Sequence, residues 1–178
     1  IEFAFDKKQT FHLLQVRKII VRKKLLNKKI FFEINKYLKK KIDKLQIPNP
    51  SLFGNKTAFS SMTDWNPAEI IGNKPKPLAI SIYKELVTDK IWALSRRSIG
   101  FRDISNNELM VNFFGTPYID IRVDFNSWLP AKLDPKISEK LFNFYFSKYL
   151  KNPKLHDKVE FEILFSSLTF STKKKSHV

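Results

Sequence analysis

The chain has 178 residues, of which 43% are apolar and 14% aromatic, and it carries a formal net charge of +16. This composition predicts a globular protein with one sizeable core and excludes a disordered chain. Cysteine is absent, which excludes disulfides, zinc–thiolate sites and thiol catalysis and fits the reducing cytoplasm, where we expect the protein. No run of about 18 apolar residues occurs, so we predict neither a membrane-spanning helix nor a membrane partner.

The positive charge is carried mainly by lysine, which accounts for 27 of the 33 basic residues. Arginine, rather than lysine, binds phosphates and base edges through two parallel hydrogen bonds. Most of the lysines are scattered, and a composition rich in Lys, Ile, Asn and Phe is typical of proteins from AT-rich genomes. The charge therefore favours a solvated surface over a nucleic-acid interface.

The first seventeen residues predict a β-hairpin. Two short apolar strands, at 1–5 and 11–16, flank a polar turn at 6–9. Three polar residues stand on or beside these strands: Glu2, Gln15 and Arg17. A kinase-like site needs a carboxylate for a divalent cation and a positive charge beside the phosphates, and facing strand residues can place both on one side. The alternative is an edge strand whose polar residues face water.

A long segment without proline or glycine follows at residues 18–45. Its apolar residues have helical spacing along one face, with lysine elsewhere. We predict one helix of up to about seven turns, or two with a break near Asn27, that ends before Pro48. The basic face of this segment is expected to be solvated. Residues 51–66 are loop-like, and 67–72 predict a short helix that begins with proline.

The second half of the sequence mixes helical and strand patterns, which predicts an α+β fold. The predicted elements are helices at 77–97 and 135–151, two strands with a turn at 105–107 within 98–114, and single strands at 117–126 and 159–170. Among these, residues 117–126 alternate between polar and apolar side chains, the pattern of a half-buried strand.

Two candidate ligand sites lie in this half. Asp64 and Asn66 precede the short helix, where a substrate carboxylate or phosphate would be favoured, or where they simply cap the helix. On the predicted strand, Asp120, Arg122 and Asp124 share one face. Their alternating charges suit a zwitterion such as an amino acid, with its ammonium on Asp and its carboxylate on Arg. The alternative is a salt-bridge network on a solvent face.

The hairpin, Ile-Glu-Phe-Ala-Phe-Asp followed by Leu-Leu-Gln-Val-Arg, resembles the closing hairpin of the ATP-grasp domain in the phosphoenolpyruvate synthase and pyruvate phosphate dikinase family. The resemblance implies that Glu2 is a magnesium ligand and that Gln15 and Arg17 are catalytic residues facing the phosphates of ATP. In that family a second acid precedes the residue that matches Glu2, and this sequence has no counterpart to it. We interpret the chain as an internal piece of a larger phosphotransferase.

Residues 59–167 resemble a divergent branch of the same family, similar to the glutamine kinase of capsular polysaccharide phosphoramidate biosynthesis. The resemblance implies an ATP-grasp domain, a central acceptor domain and a swivelling domain with a phosphorylated histidine. ATP would phosphorylate that histidine, which would pass the phosphoryl group to an acceptor such as glutamine or pyruvate. The expected domains are the end of the ATP-grasp domain at 1–20, a helical linker at 21–50 and the acceptor-binding domain at 51–178.

The glycine-rich loop that would carry the phosphohistidine is absent from the sequence, as are P-loop and dinucleotide-binding motifs. This piece alone is therefore expected to be inactive. Two other hypotheses stay open. In the first, the chain is a basic module that binds nucleic acid or anionic polysaccharide through its lysine-rich helix. In the second, it is a scaffold between catalytic domains, and the ligand contacts lie elsewhere.

Overall fold

The computed structural model describes residues 2–17, 27–61 and 66–163. The chain divides into two compact units, Ile1–Tyr37 and Leu38–Val178. Helices and two small sheets make up the described parts, so the predicted α+β class is confirmed. No helix in these ranges is both long and apolar enough to cross a membrane.

The predicted hairpin forms at the expected place. Strands β1 (Glu2–Phe5) and β2 (Phe11–Gln15) pair antiparallel. The Asp6 carboxylate stabilises the turn by accepting hydrogen bonds from the amides of Lys8 (2.8 Å) and Thr10 (2.9 Å), and the Thr10 amide contributes most to lowering the pKa of that carboxyl. These bonds explain why a polar turn of this composition closes the two strands.

Helix α1 spans Lys28–Leu45. The Asn27 side chain accepts a hydrogen bond from the Lys29 amide at 3.0 Å, so the predicted break coincides with the start of this helix. Residues 18–26 of the predicted helical segment lie outside the described residues. No residue of α1 is fully buried, although its C-terminal half contains half-buried apolar side chains.

The unit from Leu38 onward contains a three-stranded antiparallel sheet in the order β3–β5–β4, surrounded by helices. Its elements are β3 (Phe59–Ser60), α2 (Pro67–Ile70), α3 (Pro77–Tyr83), α4 (Ile91–Ser98), β4 (Met110–Phe113), β5 (Thr116–Asp120), α5 (Ile121–Ser127), α6 (Pro135–Lys151) and α7 (His156–Ile163). A π-helical turn at Lys84–Thr88 separates α3 from α4, so the helix predicted at 77–97 is interrupted.

Side-chain caps define two of the predicted helices. The Asn66 side chain accepts hydrogen bonds from the second and third amides of α2, and the Asp134 side chain does the same for α6. Each of these helices has proline in its first turn, where the missing N–H costs nothing. The bounds of α6 agree with the prediction of a helix at 135–151.

The strand predicted at 117–126 is wrong beyond Asp120. Strand β5 ends there, and α5 begins, because the Asp120 carboxylate accepts hydrogen bonds from the amides of Arg122 (2.9 Å) and Val123 (3.2 Å). All seven residues of α5 are buried, so apolar residues occur on more than one side of the helix and imitate an alternating pattern. The polar ladder on one strand face therefore does not exist.

Two other predicted strands are also wrong. Within 98–114 the turn at 105–107 and the strand β4 are present, but Phe101 makes only an isolated bridge to Pro130. Residues 159–163 belong to α7, because Val159 and Ile163, four residues apart, pack into the core formed with α5 and α6. The rest of that predicted strand lies outside the described residues.

Helix α5 lies between two hydrophobic clusters. Ile121 and Phe125 pack with the aromatic residues of α6, whereas Val123 packs with Ile119 and Trp92. This burial on both sides fixes the rotation of α5 about its axis and therefore the direction in which each polar side chain points.

Gly54 tests how tightly this core is packed. Its φ is +82°, and a Cβ added there would lie 2.2 Å from the Phe142 ring. We expect Gly54→Ala to lower the free energy of unfolding by about 3 kcal/mol, through overpacking and left-handed strain together. Gly72→Ala is the control, since its φ is +90° but nothing lies within 4 Å. It should cost only about 1 kcal/mol. Equal losses in denaturant titrations would contradict this packing.

Candidate functional site

A cavity of about 440 Å³ opens beside the junction between β5 and α5. Its walls come from Lys44 at the end of α1, from residues 47–50 and Leu52, from the turn at 106–108, and from Asp120 and Arg122 at the junction. The cavity is thus lined by groups of both charges and by the proline-rich segment that follows α1.

Asp120 is 4% exposed and contributes one carboxylate to this cavity. Its Oδ1 accepts hydrogen bonds from Thr57 Oγ1 and from the two capping amides of α5. Its Oδ2 accepts none from the described residues. Burial raises the pKa of Asp120 to about 6, although the Thr57 hydroxyl, the capping amides and the Arg122 charge act in the opposite direction.

Arg122 is 2% exposed and lines the same cavity. Its Nε donates to the carbonyl oxygen of Phe53 and its Nη1 to that of Ile47, both at 3.4 Å. Its Nη2 is buried and has no hydrogen-bond partner among the described residues. A buried donor left without a partner costs about 1–3 kcal/mol.

Asp124, the third residue of the predicted ladder, does not line the cavity. Its Oδ1 accepts a hydrogen bond from Arg96 Nη1 at 2.8 Å, and both side chains are buried. The Arg96 guanidinium also lies 3.6 Å from the centroid of the Trp128 ring. Because successive helical residues are about 100° apart, Asp124 projects to a different side of α5 from Arg122. The prediction that Asp124 shares one face with Asp120 and Arg122 is therefore wrong.

The second predicted constellation does not join the cavity. Asp64 lies outside the described residues. Asn66 caps α2 by accepting hydrogen bonds from the amides of Ala68 (2.9 Å) and Glu69 (3.2 Å), and it is not among the residues that line the cavity. The capping alternative thus accounts for Asn66.

The hairpin places two of its three predicted residues opposite each other. Glu2 is the cross-strand partner of Gln15, and Arg17 follows the end of β2. Among the described residues no group of three or more acids and histidines lies close enough to hold a metal ion. One carboxylate such as Glu2 fits only a magnesium ion that is held mainly by nucleotide phosphates.

Sequence reasoning missed the polar residues that shape the cavity wall. Asn107 is buried; its Oδ1 accepts a hydrogen bond from Asn49 Nδ2 at 2.7 Å, and its Nδ2 donates to Ser51 Oγ at 3.0 Å. The turn that contains Asn107 was predicted, but Asn49 and Ser51, to which its side chain binds, are more than fifty residues away in the sequence. The pairing of prolines around Asn49 was the one local signal of a rigid wall.

Comparison with known proteins identified no relatives. No protein-family model matches the chain, and no curated protein or solved structure matches it.

The raised pKa of Asp120 predicts a specific pH dependence. When a carboxyl has a higher pKa in the folded than in the unfolded state, the protein loses stability as pH rises from the unfolded pKa to the folded pKa. For Asp120 these pKa values are 3.8 and about 6. Asn caps helices as well as Asp and carries no charge, which makes Asp120→Asn a matched reference. We expect the wild type to lose about 3 kcal/mol relative to this variant between pH 4 and pH 6.5, and little thereafter. Parallel stability curves in denaturant titrations would exclude the shift.

Proposed function

We propose that the chain is part of an ATP-dependent phosphotransferase and that the cavity binds the small acceptor. The observation that carries the proposal is the pair of buried, oppositely charged residues Asp120 and Arg122 in one cavity wall, where Arg122 Nη2 has no hydrogen-bond partner among the described residues. Together they offer a donor for a carboxylate and an acceptor for an amine or amide. A volume of about 440 Å³ suits a metabolite of the size of glutamine or pyruvate.

The hairpin supports the nucleotide side of the proposal. Glu2 and Gln15 face each other, as the resemblance to an ATP-grasp domain requires of groups that act on one nucleotide. The rings of Phe3, Phe5 and Phe11 lie against one another but stay about half exposed. A two-stranded hairpin with this much exposed apolar surface is marginally stable alone, which favours packing against further strands.

The proposed chemistry divides between this chain and the rest of the enzyme. ATP and magnesium would supply the phosphoryl group, and a histidine outside this chain would carry it in the cytoplasmic enzyme. The contribution of the unit from Leu38 onward is to bind and orient the acceptor. Arg122 would hold its carboxylate through a charge-assisted hydrogen bond, and Asp120 would accept a hydrogen bond from its nitrogen, where it has one.

Arg122→Gln tests the acceptor site. In the enzyme to which we assign the chain, the variant should raise the KM for the acceptor at least about tenfold, because a hydrogen bond to a charged group is lost. Phosphorus NMR with ATP, magnesium and either glutamine or pyruvate follows AMP and the phosphorylated product. Arg97→Gln is the control, since Arg97 is exposed and its ion-pair partner in the described part of the chain is Asp103. An unchanged acceptor KM would favour the scaffold hypothesis, and no acceptor-dependent product would refute the proposal.

A second candidate function is favoured by the N-terminal half of α1. Phe32 is 66% exposed and lies four residues from both Lys28 and Lys36, so an aromatic ring stands between two lysines on one helical face. Aromatic rings interleaved with lysine are the arrangement that binds single-stranded nucleic acid by stacking and charge. This is the observation that keeps the nucleic-acid alternative open.

A titration with single-stranded RNA tests this alternative. If it holds, affinity should fall at least about tenfold between about 50 and 200 mM salt, because released counterions drive the binding. The pair Lys28→Gln and Lys36→Gln should weaken it further than the pair Lys136→Gln and Lys140→Gln, which removes the same charge from the exposed face of α6. Equal effects of the two pairs would indicate only non-specific attraction to a basic protein.

A further inference from the structure

The side chain of Asn126 binds the backbone of a distant segment at two points. It is fully buried, its Oδ1 accepts a hydrogen bond from the Phe53 amide at 2.8 Å, and its Nδ2 donates to the Phe53 carbonyl at 3.1 Å. Nδ2 also donates to the carbonyl of Arg122, one turn earlier on α5, at 2.8 Å. Asn126 thus connects α5 to residues 47–53, which we call the clamp segment.

The clamp segment in turn holds the Arg122 side chain. The Phe53 carbonyl that Asn126 engages also accepts from Arg122 Nε, and the Ile47 carbonyl accepts from Nη1. Both bonds are 3.4 Å long and therefore weak. Neither would keep the guanidinium in one orientation unless other bonds fixed the two carbonyls.

Arg102 reinforces the same attachment. Its Nη1 donates to Asn126 Oδ1 and its Nη2 to the Ser51 carbonyl, each at 3.2 Å, and its guanidinium lies 4.3 Å from the centroid of the Phe53 ring. Asn126 therefore makes four hydrogen bonds: two to the backbone of the clamp segment, one to Arg102 and one to the backbone of Arg122. No other role for this buried amide is apparent in its contacts, and it does not line the cavity.

We infer that Asn126 is a positioning residue that acts through the clamp segment to hold the Arg122 guanidinium in one orientation in the cavity wall. The Phe53 and Ile47 carbonyls occupy Nε and Nη1, which leaves Nη2 as the nitrogen without a partner among the described residues. An anion bound in the cavity would then not have to order a mobile guanidinium. The inference deepens the proposed function and rests on it for the identity of the ligand, but not for the orientation of Arg122.

Nitrogen-15 NMR of the arginine side chains tests the orientation without any ligand. The chain has six arginines, and Arg122→Lys assigns the Nε–H resonance of Arg122 by its loss. In the wild type this proton should exchange slowly with water. In Asn126→Leu, which keeps the branched shape and the number of side-chain heavy atoms but removes the four bonds, we expect exchange at least about tenfold faster. Asn126→Ser serves the same purpose if the leucine variant does not fold.

Leu129→Ala is the matched control. Leu129 is buried in the core beside α5, so its truncation destabilises the fold, but its side chain makes no hydrogen bond to the clamp segment. Exchange of the Arg122 proton should stay close to the wild-type rate in this variant. The inference would be overturned if exchange in Leu129→Ala were as fast as in the Asn126 variants. It would also be overturned if the Asn126 variants exchanged at the wild-type rate.

Adding glutamine or pyruvate to the same samples separates this inference from the proposed function. If both hold, one of the two compounds shifts the Arg122 resonances of the wild type, and the Asn126 variant binds it at least about tenfold more weakly. If neither compound shifts them, the proposed acceptors are wrong, while the exchange rates still decide whether Asn126 positions Arg122.

Discussion

The two hydrogen bonds that the Asp120 carboxylate accepts from the amides of Arg122 and Val123 determine the layout of the unit from Leu38 onward. They end a sheet strand and begin a helix within one residue, so that α5 leaves the sheet and enters the core. The two hydrophobic clusters on either side of α5 then fix its rotation. That rotation directs Arg122 to the cavity and Asp124 to Arg96.

Burying a helix with this many polar residues is unfavourable unless each polar group has a partner. Most do: Asn126 makes four hydrogen bonds, and Asp124 and Ser127 both bind Arg96. Unpartnered buried atoms also occur on Thr88, Trp92, Asp124 and Trp128 among the described residues. Arg122 differs from these four because it also lines the cavity, and this combination distinguishes a binding group from a local packing defect.

Local signals in the sequence predicted the parts of the fold that local interactions stabilise. The hairpin, the caps at Asn66 and Asp134, and helix α6 depend on turn residues and capping side chains a few positions away. The pattern at 117–126 failed because a helix buried on both sides also shows apolar residues at every second position. At this position the cap formed by the Asp120 side chain starts a helix despite the alternation of polar and apolar residues.

The candidate site was predictable only in part, because it depends on contacts between residues that are distant in the sequence. The sequence indicated Asp120 and Arg122 as a ligand pair, although from a strand that does not continue past Asp120. Asn126 and Asn107 were missed because their partners in the clamp segment are more than fifty residues away. Long-range contacts between amide side chains leave no periodic pattern in a sequence, so a single chain does not reveal them.

Asp120 and Arg122 also illustrate how opposite charges can stay available in one cavity. If the two side chains formed a direct ion pair, each would satisfy the other and neither would attract a ligand. Instead, Oδ1 of Asp120 is occupied by Thr57 and the capping amides, and Arg122 is held by two backbone carbonyls. The two opposite charges therefore line one cavity while each is bound to other groups, and a zwitterionic ligand is the kind that would complement both charges.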